Sequence, residues 1–208
     1  MDIFVAAIFA ALPAYLLGGL NGAIIASMTF YRKDIRKFGS GNPGLTNFYR
    51  TFGKGGLLLV ILIDVIKTVA PVLFGGWLFG RYFSMMLFGH ALSGFFVVLG
   101  HCFPVYYGFQ GGKGVMAVGA IVIVLDWRIA LISWGTFIII TILTRYVSLG
   151  AIIGVALFPP ALLIFEMGGI FEFAAAAMCA ALLIARHGSN IKRLIKGKES
   201  KLTFRRKV

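Results

Sequence analysis

VMAVGAIVIVLDWRIALISWGTFIIITIL, residues 115–143, is the stretch on which the fold turns. It reads either as one long helix with Asp126 and Arg128 at its middle, or as two helices that meet at Asp126-Trp127-Arg128. A helix needs about 20 apolar residues to cross a ~30 Å hydrocarbon core. Residues 115–125 would rise only about 16 Å as an α-helix. Under the two-helix reading, the first piece begins before Val115 or starts within the membrane.

The distribution of charge separates the two readings. The other apolar runs occupy residues 3–30, 56–79, 84–100, 149–165 and 170–185. Splitting residues 115–143 makes seven spans. With the N-terminus outside, the inner side then receives Arg32, Lys33, Arg36, Lys37, Arg50 and Lys54, next Lys113 and Arg145, and then the nine tail cations from Arg186 onward. That is 17 of the chain's 20 Lys and Arg. The outer side keeps Arg81 and Arg128, together with Asp2, Asp126, Glu166 and Glu172, and Lys67 lies within a span. An unsplit helix would move the nine tail cations outside. Cytoplasmic loops collect Lys and Arg, and this selects seven. The predicted fold is an all-α integral membrane protein with seven transmembrane helices, N-terminus outside and C-terminus cytoplasmic, in one domain over residues 1–208.

Composition agrees. The 208 residues are 60% hydrophobic and 13% charged, with mean hydropathy +0.94, against about 25% charge in a soluble domain. The start Met1-Asp2-Ile3 has no basic leader and no small-residue cleavage pattern follows, so the first run is expected to be a retained span. The net charge of +13 is not a nucleic-acid signal, because no basic stretch has the aromatic interleaving of such a module. Cations beside apolar spans orient the chain and meet anionic lipid. Cys102 and Cys179 give neither metal spacing nor a disulfide framework, and few carboxylates are present to hold a metal. Residues 191–196 are expected to form a short basic interfacial helix, and residues 201–208 to fray.

Three polar loops interrupt the apolar sequence, and the seven-span topology puts all three on the cytoplasmic face. The first is Gly39-Ser40-Gly41-Asn42-Pro43-Gly44-Leu45-Thr46-Asn47, followed by Arg50. The second runs from Gly100-His101 through Pro104 to Gly111-Gly112-Lys113-Gly114. The third is Arg186-His187-Gly188-Ser189-Asn190-Ile191-Lys192-Arg193. Exposed polar backbone is costly in a membrane unless protein or water satisfies it, so loops of this composition point to a site for a phosphorylated compound.

Two motif matches fail. Residues 39–44 fit G-x-G-x-x-G literally, but no strand precedes them and Pro43 obstructs the helix start. Gly112-Lys113 is not a P-loop, because Tyr107 stands where the first Gly belongs and Gly114 where Ser or Thr is required. The remaining physics is anion binding. Backbone N–H groups of Gly41, Gly111, Gly112 and Gly114 can approach an oxyanion closely, and 111–114 lie at a helix N-terminus, where the dipole favours negative charge. Ser40, Asn42, Thr46 and Asn47 add side-chain donors, and Arg50 can grip a phosphate with two N–H bonds. His101 and His187 border loops, as hydrogen-bonded structural residues or, alternatively, as a base, whereas His90 is expected to be structural within a span. Asp64 and Lys67 stand three residues apart in one span and face one side, so a mutually neutralising interior pair is expected, with substrate contact or loop anchoring as the alternative. Pro159-Pro160 should kink its span. The cytoplasmic loops carry only Asp34 and Glu199 as carboxylates. A reaction here needs little protein base, or borrows one from a phosphate monoester, whose second pKa is about 6.

These residues resemble the three signature motifs of the bacterial acyl-phosphate:glycerol-3-phosphate acyltransferases, the PlsY family. The first motif, Ser-Gly-Asn-Pro-Gly-x-Thr-Asn with a downstream Arg, is matched at residues 40–47 and Arg50. The second, Gly-His-x-x-Pro ending in Gly-Gly-Lys-Gly-Val, is matched at 100–115. The third, Arg-His-x-x-Asn-Ile-x-Arg-Leu-x-x-Gly-x-Glu, is matched at 186–199. Leu45 and Met116 stand where the family usually has smaller residues. The resemblance implies transfer of a fatty acyl group from acyl phosphate to the sn-1 hydroxyl of glycerol-3-phosphate in the bacterial cytoplasmic (inner) membrane. It also implies a monomer with no cofactor and no metal. Carried onto these positions, Ser40, Arg50, Lys113, His187 and Asn190 form the catalytic set. Arg50, Lys113, Arg186 and Arg193 would hold phosphates, while Ser40 and Asn42 orient substrate oxygens. Gly41, Thr46, Asn47, His101, Gly111, Gly112 and Gly114 complete the binding set.

Two rival readings share these loops. A transporter of a phosphorylated metabolite would need the same anion sites plus alternating access, and no internal repeat is evident. An acyl-CoA-dependent acyltransferase would carry His-x-x-x-x-Asp, but the fifth residues after His90, His101 and His187 are Phe95, Tyr106 and Lys192.

Overall fold

The structure, a computed structural model, describes residues 1–202. From residue 203 on, the expected fraying lies outside the described residues. The described residues are helical, with no strand among them. Asp2 caps α1 (Ile3–Gly18), its carboxylate accepting from the amides of Phe4 and Val5. The first apolar run then breaks, and α2 (Gly22–Tyr31) begins after Asn21, whose side chain accepts from the Ile24 amide. Short α3 (Leu45–Phe52) precedes α4 (Leu57–Phe83) and α5 (Met86–Cys102).

Residues 115–143 form two helices, α6 (Val115–Leu125) and α7 (Trp127–Thr144). Asp126 makes the turn. Its backbone is extended, its carboxylate accepts from the Arg128 amide, and the Arg128 guanidinium pairs with it at 2.9 Å. Helix capping and a local ion pair thus replace a helix carrying two charges at mid-length. α8 (Val147–Ala156) gives way at Leu157 to α9 (Phe158–Ile164), with Pro159 and Pro160 in its first turn. The expected kink is therefore a break just before the prolines, where a missing N–H costs nothing. Last come α10 (Ile170–Arg186) and α11 (Gly188–Ile195), bent 58° from one another at His187.

Five helical segments are long and apolar enough to cross a membrane, with α1–α2 and α8–α9 each counted as one. The bent pair α10–α11 makes a sixth. α6 is apolar but has 11 residues, fewer than a complete crossing requires.

α5 lies at the centre, against α1, α4, α6 and α10. Small residues let the backbones touch, as expected where lipid rather than water surrounds a bundle. A Cβ on Gly100 of α5 would lie 2.1 Å from the Tyr15 carbonyl oxygen of α1, and one on Gly89 would lie 2.1 Å from that of Gly75 in α4. Val97, Val98, Ile121, Val122, Phe158 and Leu183 fill the core. Phe4, Leu58, Trp127, Ile142 and Leu143 point outward, the arrangement suited to an apolar solvent.

The predicted ion pair is present. Asp64 and Lys67, both almost wholly buried in α4, meet at 2.8 Å. The basic segment after His187 is the helix α11.

Candidate active site

The polar loops converge on one cavity of about 750 Å³. Ser40, Asn42, Thr46, Asn47, Arg50, His101, Lys113, His187, Asn190 and Arg193 all line it. Gly41, Gly111, Gly112, Gly114 and Arg186 do not. Apolar side chains of α6 and α7 (Val115, Met116, Trp134 and Phe137) form part of the same wall.

Asn47 shapes the first loop. Its Oδ1 accepts from the Ser40 amide at 2.9 Å, and its Nδ2 donates to the Phe38 carbonyl at 3.0 Å. Gly39 sits at φ +58°, and a Cβ there would lie 2.2 Å from Asn47 Oδ1, so only glycine makes this turn without strain. Asn21 Nδ2 donates to the Pro43 carbonyl, tying the loop to the α1–α2 break. Phe48, fully buried beside Tyr31 and Phe52, anchors α3. Thr46 and Arg50 then fall one turn apart on one helix face. Asn47 is therefore engaged by the loop itself, and Gly41 directs its amide to the Phe38 carbonyl.

The second loop differs from its expected role. The amides of Gly111 and Gly112 donate to the carbonyls of Cys102 and His101. The carbonyls of Gly111 and Gly112 accept from Arg186 Nη2 and Nε, at 2.8 and 3.1 Å. The Arg186 guanidinium also lies 5.2 Å from the Phe103 ring. Arg186 thus fastens the second loop to the end of α10, and these two amides are not free for an anion. The glycines serve space instead: a Cβ on Gly112 would lie 2.3 Å from His101 Nε2. Gly114, at φ +85°, turns the chain into α6.

Lys113 crosses from the second loop to the third, donating to Asn190 Oδ1. Asn190 Nδ2 donates to Glu199 Oε1 at 2.6 Å, Ser148 Oγ to the same oxygen at 2.7 Å, and Arg193 Nε to Oε2 at 2.7 Å. Arg50 Nη2 donates to the Ser200 carbonyl at 3.2 Å. Burial pushes the Lys113 ammonium down to about 8, with the nearby Arg193 guanidinium adding to the effect. Burial pushes the Glu199 carboxyl up, but donors from Ser148, Asn190 and Arg193 outweigh it and hold the group below the usual glutamate range. Glu199 is therefore an ionised anchor with both oxygens occupied, ill suited to take a proton.

The two cavity histidines have opposite surroundings. His187 Nδ1 lies 2.8 Å from the Leu183 carbonyl, which only an N–H can satisfy, so Nε2 keeps its lone pair. His101 Nδ1 lies 2.8 Å from Lys67 Nζ, a donor, so the proton of a neutral ring sits on Nε2.

Glu199, Ser148, Met116, Trp134 and Phe137 also line the cavity, outside the expected set of site residues. For Glu199 a signal existed, its place at the end of the third motif. The others lie in apolar helices and are placed at the cavity only by packing.

The family model described as Glycerol-3-phosphate acyltransferase matches residues 8–197. The chain belongs to the glycerol-3-phosphate acyltransferase family. A protein of that name from Ralstonia pickettii strain 12J is 39% identical over 208 residues, the whole of both chains. One from Thermoanaerobacter pseudethanolicus is 39% identical over 197 residues, covering 94% of this chain and 96% of the relative. The crystal structure of PlsY, described as an integral membrane glycerol 3-phosphate acyltransferase in its glycerol 3-phosphate form, superposes with a TM-score of 0.84 at 34% identity. It covers 95% of this chain and 96% of that one. Its lysophosphatidic acid form gives 0.80 at 31% identity, covering 95% of each. The resemblance carried by the three motifs therefore holds, and the helices are those of a multi-pass membrane acyltransferase.

Proposed function

We propose that this acyltransferase moves a fatty acyl group from acyl phosphate to the sn-1 hydroxyl of glycerol-3-phosphate, giving lysophosphatidic acid and inorganic phosphate. The observation that carries the reading is the cavity. Arg50, Lys113 and Arg193 line it together with the apolar side chains of Met116, Trp134 and Phe137. Cations can hold two phosphate groups, and the apolar wall can take an acyl chain, at roughly 0.8 kcal/mol for each buried CH₂.

The carboxylates in the wall support the choice of donor. Asp64 is paired with Lys67, and both oxygens of Glu199 are engaged. No carboxylate of the described lining is free to act as a base, which favours an acyl carbon with a good leaving group, as in a mixed anhydride. The hydroxyl oxygen attacks the acyl carbonyl, and the carbon–oxygen bond to phosphate breaks. The hydroxyl proton leaves for a phosphate oxygen, with second pKa about 6, or for the lone pair on His187 Nε2. Ser40 and Asn42 orient substrate oxygens, and Thr46 and Asn190 position the glycerol-3-phosphate beside Lys113. Asn47, Arg186, Gly41, Gly111, Gly112 and Gly114 build the loops that hold these groups. Holding both reactants together supplies much of the rate.

Seven crossings with α6 among them, the N-terminus outside and the three loops on the cytoplasmic side of the inner membrane complete the reading, supported by the cation distribution. One copy contains the whole cavity, which supports a monomer. The test is purified protein given labelled glycerol-3-phosphate with either acyl phosphate or acyl-CoA. Lysophosphatidic acid should form with acyl phosphate alone. Turnover with acyl-CoA alone would overturn the donor, and counterflow of glycerol-3-phosphate without turnover would favour a transporter.

A further inference from the structure

A buried charge cluster reaches the cavity wall at Asp64 and His101, and the reaction just proposed does not use it. Lys67 Nζ has three acceptors: Asp64 Oδ1 at 2.8 Å, the Leu20 carbonyl, and His101 Nδ1 at 2.8 Å. An ammonium has three protons, so each has a partner. Asp64 also accepts from the Gly22 amide at 3.3 Å. Asp64, Lys67 and His101 are each no more than 5% exposed. A buried ion pair is weak support for stability, since apolar replacements often serve as well. Its presence at the edge of a reaction cavity calls for another reason, and its single contact with a ring nitrogen supplies one.

We propose that Asp64 and Lys67 are positioning residues that fix His101 as the Nε2–H tautomer, making it a neutral donor to the acyl carbonyl oxygen as negative charge develops there. Lys67 takes the lone pair of Nδ1. Asp64 and the Leu20 carbonyl hold the ammonium so that its third proton points at that nitrogen. Nε2–H is then left for the cavity that His101 lines, beside the bare Cα of Gly112. A donor fixed before reaction stabilises an oxyanion without reorganising. His187, whose Nδ1 faces the Leu183 carbonyl, is fixed in the opposite sense. The cavity thus offers one ring N–H and one ring lone pair, as addition of a hydroxyl to a carbonyl requires.

The role of His101 rests on the proposed acyl transfer, but its tautomer does not, and the experiment separates the two. The chain has three histidines, so ring-nitrogen NMR of ¹⁵N-histidine-labelled enzyme gives three resolvable pairs, assigned by replacing each in turn. Wild-type protein should show His101 protonated at Nε2 and His187 at Nδ1. The double variant Asp64→Asn/Lys67→Met removes the pair without leaving a lone buried charge. It should retain a folded elution profile and lose the fixed Nε2–H signature of His101. Its kcat should fall roughly 100-fold, with KM for glycerol-3-phosphate within about twofold. Gly112→Ala, which displaces the ring from the other side, should lower kcat in the same way. A wild-type His101 protonated at Nδ1 would overturn the proposal with no variant needed. So would a folded double variant with wild-type kcat, or a loss confined to KM. Absence of lysophosphatidic acid formation by wild-type enzyme would instead defeat the acyl-transfer reading, leaving the tautomer to the spectrum.

Discussion

Lys113 Nζ donates to Asn190 Oδ1, joining the second polar loop to the third across 77 residues of sequence. Asn190 in turn donates to Glu199, so the cation, the amide and the carboxylate form one chain of contacts along the cavity wall. A substrate phosphate arriving at Lys113 therefore meets a group already held in place, and little side-chain freedom remains to be lost on binding.

The environment of Lys113 should make the activity sensitive to alkali. Burial lowers its ammonium to about 8, so the charged form, which under the proposed function grips phosphate, is present below that pH and lost above it. kcat/KM for glycerol-3-phosphate should decline as pH rises through about 8. In kcat the decline should lie at higher pH, because a bound phosphate favours the charged form. Lys113→Arg, charged throughout, should flatten this limb even if its rate is lower. A wild-type profile flat from pH 7 to about 9.5 would remove Lys113 from phosphate binding.

Arg50 is exposed, and its hydrogen bond goes to the Ser200 carbonyl at 3.2 Å. Arg50→Ala should leave the protein folded and extractable. Loss of a charge-assisted phosphate contact worth about 2–3 kcal/mol corresponds to a fall of roughly 30- to 160-fold in kcat/KM. A labelled-substrate assay beside a size-exclusion profile decides it, and near-normal turnover would defeat the assignment.

Glu199 binds three partners, and removing it leaves them facing one another. Glu199→Ala should free Asn190 and Arg193, lowering kcat/KM at least about tenfold and destabilising the fold by about 1–3 kcal/mol. Glu199→Gln keeps an acceptor for Ser148 and Asn190 and should be milder. Thermal unfolding and initial rates on the two variants give the ranking, and equal effects would argue against a role for the hydrogen bonds.

Gly100 and Gly135 should respond oppositely to alanine. At Gly100 the new methyl would meet the Tyr15 carbonyl oxygen at 2.1 Å, forcing α1 away from α5. The cost should be about 1–3 kcal/mol. At Gly135 nothing lies within 4 Å, and alanine should stabilise α7 by up to about 1 kcal/mol. Melting temperatures in one detergent should move down for Gly100→Ala and not down for Gly135→Ala.

Read along the chain alone, the residues establish a set of apolar helices interrupted by three polar, glycine- and cation-rich loops. Hydrophobic run length and the placement of Asp126 are local properties, and they cut residues 115–143 at the position where the structure turns. The sequence also marked most of the polar cavity residues by type, because groups such as Ser40, Arg50, Lys113 and Asn190 are costly in a membrane sequence unless protein, water or a ligand satisfies them. How each group is engaged emerges from the packing of the helices. Gly112 and Arg186 look like phosphate ligands when read along the chain, yet Arg186 closes on the carbonyls of Gly111 and Gly112, and Gly112 makes room for His101. Lys67 and His101 are 34 residues apart, and Asn190 and Lys113 are 77 apart. A hydrogen bond has a direction and a partner, and neither is written in residue type. They arise when packed helices bring distant donors and acceptors together where water cannot satisfy them.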